Sequence, residues 1–400
     1  MDQAQITTAP IVPPATEAAA AYKRSHHYPE LDALRGLAAF VVVLDHYIRL
    51  WDNSSLSPTA NLLLNHVLII FFNGRCSVVL FFLLSGFVLT LPYKRGNELP
   101  YGTFVLRRLA RIYLPYFAAL MVAILADWKL HNPMQVSAWF SRTWTAPLSW
   151  PLVLQHVLLI GNYDTAQINT AFWSLAVEMR LSLLFPLLCI PLLRWGRRSS
   201  LILLAVFTVI NIETPRLLAH RVGGITNGNI YDMTVGIVAF AAGIVLARWL
   251  EPAQSLWGRA SRIQRVLFFI VSLFLLGYLD AMSQRHISTI ENALSIIGGC
   301  GIMIVALSSH RASRVLNHRL PAWLGRISYS LYLVHATVLF TIMHLFFPQL
   351  SRLQILVPYI GCALAFAALF YLVVEKPSIR LSRSIGRSGR TLSNRPPVTA

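Results

Sequence analysis

LDALRGLAAFVVVLDHYIRL, residues 31–50, is an apolar run that nonetheless carries Asp32, Arg35, Asp45 and His46. A helix of about 20 residues is ~30 Å long, the thickness of the hydrocarbon core of a bilayer. A charged side chain held at that depth costs a few kcal/mol even on the mildest scale, so each one marks a place where chemistry is expected. The run therefore points both to the fold class and to the position of a working site.

Comparable runs recur at 76–93, 109–127, 171–193, 200–213, 230–250, 264–280, 291–308, 327–347 and 353–374, giving about ten crossings. The expected fold is an all-α integral membrane protein. The composition agrees, with 56% hydrophobic and only 12% charged residues, a balance that a soluble core of this size does not need. The 200–213 run is short for a crossing, and Leu152 to Ile160 reads as an interfacial or re-entrant piece.

The net charge of +18 does not indicate a nucleic-acid partner, because the basic residues lie between the apolar runs. Lys94, Arg95, Arg107, Arg108 and Arg111, then Arg194, Arg197 and Arg198, then Arg248, Arg259, Arg262 and Arg265, fall in alternate connections. Arg311, Arg314, Arg319, Arg326 and the stretch from Lys376 to Arg395 follow the same alternation, and the opposite connections are poor in cations. The positive-inside rule then places both termini in the cytoplasm. Residues 1–28 read as a disordered cytoplasmic tail, 29–377 as the transmembrane domain, and 378–400 as a basic cytoplasmic tail suited to anionic lipid headgroups. Cys76, Cys189, Cys300 and Cys362 are scattered through apolar runs, so neither a disulfide nor a metal site is expected.

Of the ionisable residues within the runs, those singled out are Asp32, Arg35, Asp45 and His46 on the first, Glu178 and Arg180 on the fourth, and His335 on the ninth. Arg35 and His46 are eleven positions apart, which returns to within ~20° of the same helix face, ~16 Å along the axis. With the N-terminus inside, Arg35 lies toward the cytoplasm and His46 toward the opposite side. The competing reading has Arg35 snorkelling to headgroups and His46 bonding a neighbouring helix. Glu178 is either a site carboxylate or is neutralised by Arg180, although residues two apart on a helix face each other poorly.

At these positions the chain resembles the membrane-bound acyltransferase-3 family, whose members O-acylate surface polysaccharides, lipid-linked sugars and related acceptors. Four segments carry the resemblance. They are Leu31 to Ala39 with His46; Leu80 to Phe87 followed by Arg107 to Tyr116; Phe172 to Glu178; and Ile327 to His335 with Glu375-Lys376-Pro377. The chain departs from the family pattern at Met179 to Ser182 and at Ser77 and Val79, which bears on the acceptor more than on the reaction. The resemblance implies an O-acyltransferase of the bacterial inner membrane. It would move an acyl group, by family weight acetyl, from acyl-CoA to a hydroxyl of a carbohydrate or glycolipid, with no tightly bound cofactor.

Acyl transfer from a thioester to a hydroxyl needs a base, a stabiliser of the developing oxyanion and a place for the donor's phosphates. His46 suits the base, or a covalent acyl carrier. Arg35 suits either the thioester carbonyl or the pantetheine and pyrophosphate of the donor, and its depth favours the latter. Glu178 can orient His46 or bind acceptor hydroxyls. Arg107, Arg108 and Arg111 read equally as phosphate contacts and as positive-inside anchors. Ser85 is a packing residue or lines the donor channel. Asp32, Trp173, Tyr329 and His335 are candidate acceptor contacts, set against the reading of aromatic anchors and a helix-packing histidine. A secondary transporter using an Arg/His/Glu pathway is the rival class, and it predicts internal symmetry that the sequence does not display.

Overall fold

Apolar runs become helices where caps and prolines allow, and among the described residues they form ten long ones. The computed structural model describes residues 28–52, 56–64, 68–145, 147–159, 165–221, 228–277 and 289–386. The helices are α1 (Pro29–Ile48), α2 (Gly74–Lys94), α3 (Tyr101–Leu130), α4 (Phe172–Arg194), α5 (Arg197–Arg221), α6 (Gly228–Arg259), α7 (Arg262–Gly277), α8 (Thr289–Ser308), α9 (Arg319–Phe346) and α10 (Arg352–Ser384). No strand occurs among the described residues. Each predicted run falls on one of these helices. Most of the 1–28 tail, residues 278–280 of the seventh run, Arg285, Ile160 and residues 387–400 lie outside the described residues.

Seven of these helices are long and apolar enough to cross a membrane by length and composition. The other three are shorter or more polar: α7 has 16 residues, α1 carries Glu30, Asp32, Arg35 and Asp45, and α5 contains Asn211 and Glu213. Large apolar side chains such as Leu187, Leu353, Val357 and Val373 remain exposed, as a lipid-facing surface requires. The chain is thus a multi-pass membrane protein. The Leu152 to Ile160 piece is a short helix, Trp150–Leu158, capped by the Ser149 hydroxyl.

Contacts fix the direction of every long helix. Near one end, Gly36 of α1 meets Gly325 of α9. Near the other, His46 meets His335, so these two helices are parallel. Gly74, at the start of α2, sits against Asp45, and Lys94 at its end pairs with Glu251 of α6 at 2.8 Å. Asn73 donates to the Gly277 carbonyl at the end of α7, and Arg75 bonds Asn292 near the start of α8. Arg197 lies over Trp249 and Asn211 bonds Thr234, which orients α5. Tyr329 donates to Ile112 early in α3, Ser174 bonds Tyr332 early in α4, and Tyr47 donates to Arg352 at the start of α10. Successive helices alternate in direction throughout.

The tightest crossing is that of α1 with α9, where a Cβ at Gly36 would run into the backbone of Leu324 and Gly325. Removing side chains is what lets two backbones meet in lipid. Around this pair, α2 packs on α1, α6 packs on α2 and α4, and α10 packs on α9, while α7 lies outside on α8.

Two helices contain a π-helical turn, Leu109–Tyr113 in α3 and Tyr371–Glu375 in α10. Each stands just before a proline, Pro115 and Pro377. Proline brings no N–H, so widening the preceding turn to i→i+5 leaves a carbonyl without its donor. For α3 that carbonyl belongs to Ala110, and the Ser378 hydroxyl donates to it from α10. Ser382 likewise donates to the Arg107 carbonyl at 2.9 Å. The basic segment expected as a tail from 378 thus begins as the last turns of α10, packed on α3.

Candidate active site

The two parallel helices each bring a stripe of polar side chains to the interior. On α1 it runs from Asp32 and Arg35 to Asp45 and His46; on α9 it runs through Tyr329, Tyr332 and His335 at i, i+3 spacing, ~9 Å in all. At the far end His46 and His335 touch, with ring centroids 4.8 Å apart at 90°. His46 Nδ1 lies 3.0 Å from the Val42 carbonyl. His335 Nδ1 lies 2.8 Å from the Tyr332 carbonyl and 3.1 Å from that of Leu331. A carbonyl only accepts, so in both rings Nδ1 carries the hydrogen and Nε2 keeps its lone pair. His335 is fully buried, and its Nε2 has no hydrogen-bond partner.

Asp45 stands beside this pair. Its Oδ2 is 3.6 Å from His46 Nδ1, while Arg49 holds both of its oxygens at 2.7 and 3.1 Å. A Cβ at Gly74 would come within 2.8 Å of Asp45 Oδ2. Glycine at this position therefore lets the carboxylate approach the start of α2, where the helix dipole favours a negative charge. Trp139, from the connection after α3, closes the outer side with its ring centroid 5.4 Å from His46. Between the two ends, Tyr332 shares a 2.6 Å hydrogen bond with Ser174 and packs edge-on against Phe81.

The opposite end gathers charge. Arg35 pairs with Asp32 at 2.8 Å. Glu178 accepts from the Ser85 hydroxyl at 3.0 Å and has Arg108 at 3.7 Å, while Arg108 donates to Ser182 at 2.7 Å. Arg35, Arg108 and Arg111 lie near one another, interleaved with Glu178, Asp32 and Glu375. Glu375 is buried and accepts from the Ser330 backbone N–H at 3.1 Å and its hydroxyl at 2.5 Å. The Nε of Arg108 is buried without a hydrogen-bond partner. The cluster thus holds three guanidinium groups and this one buried donor without a partner.

Among the sequence candidates, His46 and His335 come together at one end. Arg35, Asp32, Glu178, Ser85, Arg108 and Arg111 come together at the other, with Tyr329 between α9 and α3. Glu178 sits with Arg108 and Ser85 rather than beside His46, and Arg180 donates to the Leu159 carbonyl at 2.8 and 3.1 Å. Arg107 is directed away from the cluster, donating to the Ile385 carbonyl at 2.8 and 2.9 Å. Trp173 is half-buried against the apolar core. Reading the sequence missed Trp139, which lies in a connection without periodicity, and the Asp45–Arg49 pair, which i, i+4 spacing could have revealed. No group of three or more His, Cys, Asp or Glu residues able to hold a metal ion occurs among the described residues.

A family model for the acyltransferase domain matches residues 28–372 of this chain, nearly the whole helical bundle. The chain belongs to the acyltransferase-3 family. It is 21% identical to the peptidoglycan O-acetyltransferase OatA of Listeria monocytogenes, over 86% of this chain and 55% of that protein. With nodulation protein 10 of Rhizobium leguminosarum bv. viciae it shares 25% identity over 90% of this chain and 96% of the relative. The putative peptidoglycan O-acetyltransferase YrhL of Bacillus subtilis is 22% identical over 80% and 50%. This acyltransferase-3 chain thus spans about half the length of OatA and YrhL, and nearly all of nodulation protein 10. No solved structure matches it.

Proposed function

We propose that this acyltransferase-3 protein is an inner-membrane O-acetyltransferase that crosses the bilayer ten times and moves acetyl from acetyl-CoA to a hydroxyl of a carbohydrate or glycolipid. The alternating helix directions support ten crossings; an even number puts both termini on one side with the arginine cluster, and the excess of cations there makes that side the cytoplasm. The flanking segments 1–28 and 387–400 are then cytoplasmic tails.

The observation that carries the reading is the pairing of an arginine cluster with a histidine pair on the same two parallel helices, ~16 Å apart along α1. Arg35, Arg108 and Arg111 bind the phosphates of the donor, and the pantetheine arm runs along the Tyr329–Tyr332 stripe to the histidines. Arg107 anchors the end of α10, with Glu178 and Ser85 positioning Arg108. His46 accepts the proton of the acceptor hydroxyl at Nε2 while its Nδ1–H stays on Val42 and beside Asp45, an oriented base. The acceptor oxygen bonds to the acetyl carbon, the C–S bond breaks, and the departing thiolate takes the proton from His46.

The test is thiol release from acetyl-CoA by purified protein reconstituted in liposomes with membrane glycolipid or surface polysaccharide, comparing wild type with His46→Ala and Arg35→Ala. The expected result is release by wild type and its loss in both folded variants. Consumption of no acetyl-CoA by wild type would overturn the reading in favour of a transport pathway.

A further inference from the structure

We propose that His335 sets acceptor specificity: its Nε2 takes a hydrogen bond from a second hydroxyl beside the one that His46 deprotonates, so that the acceptor is a sugar bearing neighbouring free hydroxyls. The proposal rests on the O-acyl transfer reading and adds what the acceptor must look like.

The argument starts from an unpaired atom. The His335 ring is fully buried, its Nδ1–H is committed to the carbonyls of Leu331 and Tyr332, and its Nε2 has no partner. A buried acceptor left unpaired is costly, and native structures rarely keep one without a use. The ring it touches, His46, has its own Nδ1–H committed to Val42, so it offers a second lone pair and no hydrogen. The two rings stand edge to face with centroids 4.8 Å apart, and two acceptors cannot satisfy each other. What fits them both is a molecule with two adjacent donors.

Neighbouring hydroxyls of a pyranose meet this demand. One O–H is directed to His46 and reacts; the other is directed to His335 and is held. Trp139 flanks His46 at 5.4 Å and is half-buried, giving an apolar ring face against which the C–H face of a sugar can lie. A molecule whose one hydroxyl is spent on His46 leaves the His335 Nε2 unsatisfied.

The experiment uses the full chain in liposomes, acetyl-CoA, and methyl β-glucopyranoside with its monodeoxy analogues, measuring kcat/KM by thiol release and the site of acetylation by mass spectrometry. Wild type should still acetylate one deoxy analogue, the one lacking the neighbouring hydroxyl, with kcat/KM lower on the order of tenfold to a hundredfold. His335→Phe should bring the ratio of kcat/KM on the intact glycoside to that on the deoxy analogue close to one. His335→Asn, which keeps an acceptor oxygen, should restore part of the preference and serves if the Phe variant fails to fold. Equal losses on the intact and deoxy compounds, or no discrimination by wild type, would overturn the assignment and leave His335 a packing or proton-sharing residue. Absence of thiol release with every glycoside would instead overturn O-acyl transfer itself.

Discussion

Gly36 of α1 lies directly on the backbone of Gly325 of α9. The register set there carries His46 to His335 ten residues further along each helix. Gly36→Leu should force the helices apart and destabilise the protein by about 1–3 kcal/mol. It should also remove activity while His46 and His335 are intact. Thermal unfolding in detergent and thiol release together check this; a stable, fully active Gly36→Leu protein would refute the crossing.

Removing the base should cost more than removing its support. His46→Ala is expected to lower kcat by roughly a hundredfold to ten-thousandfold. Asp45→Asn should lower it by less, because Val42 still holds Nδ1. Steady-state kinetics at saturating donor separate the two, and equal losses would show that Asp45 takes part in proton transfer.

Arg108→Ala should raise KM for acetyl-CoA with a smaller change in kcat, since a phosphate contact is equally strong in ground and transition states. It also leaves Glu178 with the Ser85 hydroxyl and without its nearby cation, so adding Glu178→Gln to Arg108→Ala should recover stability without recovering donor affinity. Recovery of both in the double variant would show that the arginine serves the carboxylate alone.

Ser378→Ala removes the donor to the Ala110 carbonyl. It should destabilise the protein by about 1–3 kcal/mol, measured by thermal or denaturant unfolding in detergent. Ser384→Ala, whose hydroxyl bonds only its own helix, should be nearly neutral. If the two behave alike, the π turn of α3 does not depend on α10.

The helices were legible because each apolar run is long and polar side chains inside it are rare, so α1 and α9 stood out by their cost. The Arg35 to His46 stripe followed from helical periodicity alone. What periodicity does not carry is partnership between helices. Nothing in the sequence ties Glu178 to Arg108 rather than Arg180, or brings Trp139 from an irregular connection to the face of His46. The π turns were hidden too, because Pro115 and Pro377 read simply as helix punctuation until the Ala110 carbonyl and the Ser378 hydroxyl are seen together.

The two imidazoles come from the first and ninth long helices, with most of the chain between them. During synthesis, a partly inserted chain holds the arginines of α1 and α3 long before His335 leaves the ribosome. The histidine pair is therefore completed late and all at once, when α9 threads in beside α1.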